Sequence, residues 1–295
     1  MKIAITGANS SVGKNLLAHI LQRQDYTAMA GVRSATVFEQ LPTSDRIEPR
    51  VISYGNGASL DAALQGVDCV VHLAGILIES RKSNYQTANV DATAAVVNAA
   101  RKAGVQHLNF VSVLGADAAS GNAYFRSKGE AEKLVEQSGL SASILRTPML
   151  LGPGTAGAQS LLGTASHDKA GLLGGGHYQM RPLDVDDLSE AILACCTRAA
   201  SGTKCYELTG PESIAFRDLV SRVAALQGKT IKINSVPVWI ATLAAAITST
   251  IKGGGFTPTV IDVITRDEVT GHNCDAELGL RLTALNDTLA KLINH

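Results

Sequence analysis

The feature that most narrows the fold is an alternation of short β-rich runs with helical stretches through residues 2–147. Residues 2–6 read as a strand and 12–23 as a helix. Thr27 to Val32 is a second strand, Arg50 to Ser53 a short third, and Asp68 to Leu73 a fourth that is almost continuously apolar. A strand covered by helices on both sheet faces has that composition. Residues 84–103 read as one Ala-rich helix that stops at Gly104, a residue suited to a left-handed cap. His107 to Val113 is a fifth strand, 122–138 a helix ending before Gly139, and Ser141 to Thr147 a sixth strand. Strands alternating with helices predict a doubly wound parallel sheet.

The turn between the first strand and the first helix carries Thr6-Gly7-Ala8-Asn9-Ser10-Ser11-Val12-Gly13. Gly7 allows a tight turn, and Gly13 lets the helix pack close to the strand. The helix N-terminus, with the backbone of Asn9, Ser10, Ser11 and Val12, then offers N–H groups and a positive dipole end to a pyrophosphate. Ser10 or Ser11 stands where a middle glycine is usual in such turns; serine is small, and it also caps helices. In this strand–turn–helix context the pattern reads as a dinucleotide site, and the fold as Rossmann-like. An acidic residue after the second strand would hold the ribose 2′-hydroxyl of NAD(H). Here the chain has Gly31-Val32-Arg33-Ser34. Arg33 can fork onto a 2′-phosphate and Ser34 can donate a further bond, so NADP(H) is favoured over NAD(H).

Tyr124 and Lys128 lie four apart at the start of a helix and therefore on one face. A nearby ammonium is expected to lower the pKa of the phenol and to make it a usable general acid or base. Ser112, at the end of the fifth strand, reaches the same sheet edge and can stabilise charge on a substrate oxygen. Taken with the glycine turn, these three residues predict hydride transfer to or from a carbonyl carbon.

Together these motifs resemble the extended and atypical short-chain dehydrogenase/reductase superfamily over residues 1 to about 150. Val70-Val71-His72-Leu73-Ala74-Gly75 resembles the family's fourth-strand segment, which implies that the Leu73, Ala74 and Gly75 backbone approaches the cofactor phosphates. Asn89-Val90-Asp91-Ala92-Thr93 resembles its helix motif, and the resemblance gives Asn89 a supporting role in the active site. Leu145-Arg146-Thr147-Pro148 resembles the turn beside the nicotinamide, which places Pro148 at the cofactor. Arg181 to Asp187 resembles a segment leading to the substrate lobe. Val111 to Asp117, with Tyr124 to Lys128 and Glu130, is similar to proteins related to the NADPH-binding accessory subunit of respiratory complex I. Ile264 to Val269 resembles a tail element of that branch. Some of its members bind cofactor without known turnover.

After Pro148 the pattern changes. Gly152-Pro153-Gly154 and Gly174-Gly175-Gly176 mark loops, and Gly253-Gly254-Gly255 a break. Asp186 to Arg198, Phe216 to Leu226 and Pro237 to Ile251 read as helices, Lys204 to Leu208 and Thr230 to Ile233 as strands. The expected division is a cofactor domain over 1–150 and a mixed α/β substrate lobe over 151–295, interleaved with the core. Trp239, Ile240, Leu243, Ile247 and Ile251 are set at helical spacing and read as the inward face of a lid. A wall for a lipophilic substrate or a membrane-surface contact is the alternative.

The 26 basic and 26 acidic residues balance, which argues against nucleic acid as a partner. Cys69, Cys195, Cys196, Cys205 and Cys274 form no metal-ligand spacing; no metal site is expected, and the thiols suit a reducing compartment. No targeting or membrane-spanning segment is evident, so a cytoplasmic protein acting on a small molecule is expected. Three activities fit: an NADP(H)-dependent oxidoreductase, a cofactor-binding scaffold or sensor without turnover, and a cofactor-coupled sugar-nucleotide epimerase.

Overall fold

A computed structural model describes residues 1–198, 201–252 and 255–293; Gly253-Gly254 of the expected break, and the side chain of Ile251, lie outside the described residues. In the amino-terminal half, β1 (Lys2–Thr6), β2 (Thr27–Val32), β3 (Ile47–Val51), β4 (Cys69–His72), β5 (His107–Val113) and β6 (Ala142–Thr147) alternate with α1 (Ser11–Leu21), α2 (Gly57–Ala63), α3 (Ala92–Ala103) and α4 (Ala123–Glu136). The chain continues through β7 (Leu150–Leu151), α5 (Ala156–Ala165), β8 (Lys169–Leu173), β9 (Gln179–Met180), β10 (Leu183–Asp184), α6 (Val185–Thr197), β11 (Thr203–Glu207) and β12 (Ile214–Ala215). It ends with α7 (Phe216–Leu226), β13 (Lys232–Val236), α8 (Val238–Lys252), α9 (Pro258–Ile264), α10 (Asp275–Leu278) and α11 (Leu285–Ile293).

Seven strands form one sheet in the order β11-β6-β5-β4-β1-β2-β3, and every neighbouring pair in it is parallel. The expected Rossmann-like sheet is therefore present. Side chains alternate across it: Ile3 and Ile5 of β1 pack with Leu16, Leu17 and Ile20 of α1 and with Leu188 and Ile192 of α6. Ala4 faces the other way, into Val70, Phe110, Val96, Ala131 and Ile144 beneath α3 and α4. A third core joins α5, α7 and α11 through Leu161, Leu219, Val223 and Leu289. Two parts from beyond residue 150, β11 and α6, belong to the main sheet and its cover.

The third strand starts three residues earlier than expected and runs through Pro49. Proline lacks a ladder donor, which an edge strand such as β3 tolerates. The helix expected over 84–103 is broken: Gln86–Asp91 is a π-helical turn, and only Ala92–Ala103 is α-helical, capped by Gly104 at φ 67°. Helix α8 departs furthest from expectation. Its large apolar residues point outward, with Trp239 70%, Leu243 58% and Ile247 58% exposed. The inward lid face is thus corrected: the residues turned toward the protein are small, with Ala245 buried and Val238, Ala241 and Thr242 half-buried.

Candidate active site

A groove of about 370 Å³ opens at the carboxyl edge of β1, β2 and β4. Of the residues expected to hold cofactor, Gly7, Asn9, Ser10, Arg33, Leu73, Ala74 and Gly75 line it. Gly7 has φ 81°, and a Cβ there would stand 3.3 Å from the Ala74 nitrogen and 3.5 Å from the Leu73 carbonyl carbon. Two stretches of backbone meet at that point, which is the approach a dinucleotide turn needs. Gly13 is tighter still: a Cβ would lie 2.6 Å from the Ala8 carbonyl oxygen. Ser10 stands outside the helix as its N-cap, accepting a bond from the Gly13 N–H at 3.0 Å. No acidic residue occupies the first turn of α1, so its positive dipole end is not offset.

Arg33 lines the groove and is exposed, whereas Ser34 turns away. The Ser34 hydroxyl accepts the Thr36 N–H at 3.2 Å and meets the Thr36 hydroxyl at 2.8 Å, capping a 3₁₀ turn over Ala35–Gln40. Ser11, Val12, Gly13 and Pro148 also lie outside the lining. In their place the groove gains Tyr54, Ile76, Lys82, Ser83 and Thr87. All but Thr87, which lies in the π-helical turn, sit on loops, where a periodic pattern gives no signal.

Asn89 and Lys128 meet beyond the Gly75 end of the groove, Lys128 reaches the residue before Ser112, and Tyr124 lies one turn earlier on α4 in a cluster of aromatic rings. Lys128 is 5% exposed, donates to the Val111 carbonyl at 2.9 Å, and stands 4.3 Å from the centre of the Phe110 ring. A Cβ added to Gly75 would be 3.1 Å from Asn89 Oδ1 and 3.9 Å from Lys128 Nζ, so all three share one corner. Burial lowers the Lys128 ammonium to about 8, with Glu132 opposing the shift. Next to Val111, Ser112 is 1% exposed and its hydroxyl has no hydrogen-bond partner among the described residues.

Tyr124 packs against Tyr85 and Phe125, with ring centres 5.8 and 5.7 Å away. Burial, and secondarily Tyr85, holds its phenol above the ordinary value. The lowering expected from Lys128 is not found, because the phenol is enclosed by rings while the ammonium is drawn to Val111. A phenol in that state stays protonated at neutral pH and is a weaker acid than a free tyrosine.

Asn89, 1% exposed, accepts the Ile76 N–H at 2.8 Å and donates to the Ile76 carbonyl at 3.2 Å and the Ser127 hydroxyl at 2.9 Å. Ser127 in turn donates to the Tyr124 carbonyl at 2.7 Å. Asn89 thereby ties the loop after β4 to the helix bearing Tyr124 and Lys128. Behind it stands His72, which pattern reading assigned only to a strand. Thr93 donates to the Asn89 carbonyl at 2.6 Å, so its oxygen accepts from His72 Nε2 at 3.1 Å, and Thr6 donates into Nδ1 at 2.6 Å. Burial, then Lys128, drives this imidazole down to about 3, which keeps it neutral.

The groove, the Gly7–Ala74 approach and the uncompensated helix N-terminus fit a dinucleotide. The sequence profile of a family described as NAD(P)H-binding matches residues 7–172, more than half of the chain. The chain belongs to the NAD(P)H-binding family. It lies within the extended short-chain dehydrogenase/reductase superfamily. Quinone oxidoreductase 2 of Escherichia coli strain K12 is 25% identical over 297 residues, spanning 99% of this chain and 94% of that protein. The mitochondrial NADH dehydrogenase (ubiquinone) 1 alpha subcomplex subunit 9 of Arabidopsis thaliana is 29% identical over 168 residues, 55% of this chain and 41% of that protein. Among solved structures, an NADPH-dependent quinone oxidoreductase of Escherichia coli complexed with NADPH superposes with a TM-score of 0.76 at 21% identity. That match covers 99% of this chain and 100% of that one.

In this NAD(P)H-binding protein Glu268 bridges several segments that follow β6. The carboxylate accepts the Met149 N–H at 2.5 Å and the Arg181 N–H at 3.0 Å, while the Glu268 N–H donates to the Gln179 carbonyl at 2.8 Å. The side chain thus pins the turn after Pro148 to the segment after β9, and the backbone of the same residue holds β9 itself. Burial outweighs those two bonds and raises the carboxyl to about 7. No cluster of metal-ligating side chains is present among the described residues.

Proposed function

We propose that this protein is an NADP(H)-dependent oxidoreductase that reduces a carbonyl, or oxidises an alcohol, of a small lipophilic substrate. The observation that carries this reading is the unpartnered hydroxyl of Ser112, buried at the end of β5 next to the carbonyl that holds Lys128. A buried hydroxyl without a partner costs about 1–3 kcal/mol, and a substrate oxygen would satisfy it. The bound cofactor supplies the hydride. Ser112 donates to the carbonyl oxygen, Tyr124 passes that oxygen a proton, and Lys128 places positive charge beside the reacting groups. Asn89 holds the loop and helix in register. Arg33, with no acidic residue beside it in the groove lining, recognises a 2′-phosphate. The segment after residue 150 forms the substrate walls. The quinone oxidoreductase relative makes quinones the first substrates to try.

The test is a panel of quinones, ketones and aldehydes with NADPH. Tyr124→Phe keeps the ring and its packing, so it retains cofactor binding and loses turnover by ~10²–10⁴. Ser112→Ala lowers turnover with little change in cofactor affinity, and Lys128→Met loses both. Turnover by Tyr124→Phe at the wild-type rate would sink the mechanism. The second reading is cofactor binding without turnover. It is favoured by the cover over Tyr124, which is 9% exposed between Tyr85 and Phe125. Under it, tight NADPH binding accompanies inertness to the whole panel.

A further inference from the structure

A helix on the surface of a globular protein turns its large apolar residues inward and its small or polar ones out. Helix α8 does the reverse. Trp239, Ile240, Leu243 and Ile247 form one stripe by their i, i+4 and i+3 spacing, and are 70%, 45%, 58% and 58% exposed. Its described hydroxyl side chains donate to the helix backbone: Thr242 to the Val238 carbonyl at 2.9 Å, Thr248 to Ala244 at 2.9 Å and Ser249 to Ala246 at 3.3 Å. Along the chain the charge next to the helix is one-sided, with Asp262 of the neighbouring α9 and Asp168 beside Lys169 the nearest acidic residues in the packed elements. From residue 219 to 261 the chain has no Asp or Glu and carries Arg222, Lys229, Lys232 and Lys252, in a protein whose formal net charge is zero. Arg222 is paired with Glu212. The exposed Lys232 opposes the exposed Lys169 across the β8–β13 pair, and β13 runs into α8 with only Pro237 between them. No helix among the described residues is long and apolar enough to cross a membrane.

We propose that the outward stripe of α8 docks the protein on the surface of a lipid bilayer bearing anionic headgroups. The stripe enters the interfacial layer while Lys169 and Lys232 meet the phosphates. A second copy of the chain would satisfy the apolar face but would bring like charges together, which is why the bilayer is the occupant. Helix α8 packs on α9, and Val263 of α9 packs against the Tyr85–Tyr124–Phe125 cluster. The docked face is therefore one helix away from Tyr124. The docking stands whether or not the site turns over.

Trp239 is the sole tryptophan of the chain, so its fluorescence reports on this face directly. The full-length protein is titrated with vesicles of phosphatidylcholine alone and of phosphatidylcholine with phosphatidylglycerol. A blue shift and co-sedimentation are expected with the anionic vesicles, weakening as salt rises. Leu243→Glu with Ile247→Glu abolishes both signals and leaves NADPH binding intact, which shows that the variant is folded. Lys169→Gln with Lys232→Gln weakens binding to anionic vesicles by roughly tenfold or more. Three results overturn the proposal. They are no shift and no sedimentation with either vesicle, equal binding to neutral and anionic vesicles, or a concentration-dependent blue shift with dimer formation in the absence of lipid.

Discussion

Arg33 is the residue on which cofactor choice turns. It is exposed at the end of β2, faces the groove and has Tyr54 rather than a carboxylate across from it. The second donor expected beside it, Ser34, is occupied by Thr36. Discrimination between the two cofactors therefore rests more heavily on one guanidinium than the sequence suggested. Arg33→Ala is expected to weaken NADPH binding by about 1.5–3 kcal/mol, the worth of a charge-assisted bond, and to leave NADH binding unchanged. Calorimetric titration of both cofactors against both proteins checks it. Equal affinities for the two cofactors in the unmutated protein would refute the assignment.

Among the elements, the π-helical turn at Gln86–Asp91 matters most. The Ala-rich run that follows favours an uninterrupted helix over 84–103, and the interruption appears because Asn89 is pulled into the fold from both ends. Its amide satisfies the backbone of Ile76 and the hydroxyl of Ser127, while its own carbonyl accepts from Thr93. Turns of this kind recur at functional sites. Removing the amide takes both hydrogen bonds from the half-buried backbone of Ile76 and the bond that Ser127 accepts, leaving Ser127 only its bond to the Tyr124 carbonyl. Asn89→Ala should then destabilise the fold by about 2–4 kcal/mol, read from urea unfolding. Turnover should fall further than cofactor affinity, since Lys128 and Tyr124 lose their register while Gly7 and Arg33 keep theirs. A variant with unchanged stability would show that Asn89 does not carry this joint.

At the scale of the whole molecule, Glu268 ties the carboxyl-terminal tail to the backbone of Met149 and Arg181. Its carboxyl is raised from the ordinary 4.5 to about 7 by burial. Between those values the folded protein keeps a proton that the unfolded chain has already released. Stability contributed by this group is therefore full below about 4.5, declines as pH rises, and is lost above about 7. The melting temperature should fall by a few degrees from pH 5 to pH 8 through this group. In Glu268→Gln, which does not titrate, that slope should flatten even though one of the two backbone N–H groups loses an oxygen. An identical slope in wild type and variant would remove Glu268 as its source.

What the sequence determined by itself is what local chemistry can specify. Residues 2–147 alternate in period because parallel strands must be apolar on both faces, and Gly7, Gly13 and Gly104 stand where backbone crowding or a left-handed cap admits little else. Tyr124 and Lys128 share a face because any helix puts residues four apart together. The tertiary structure alone decided what depends on a distant neighbour. Pro49 could enter a strand only because β3 is an edge. His72 became a neutral link between Thr6 and Thr93, residues 87 positions apart that nothing in the sequence joins. Lys128 failed to lower the Tyr124 phenol because packing sent the two groups to different partners. The spacing of Trp239, Ile240, Leu243 and Ile247 establishes a stripe but not its direction. Which way an apolar stripe faces is set by the surfaces the rest of the fold leaves uncovered, and here the small face of α8 met the protein while the large one did not.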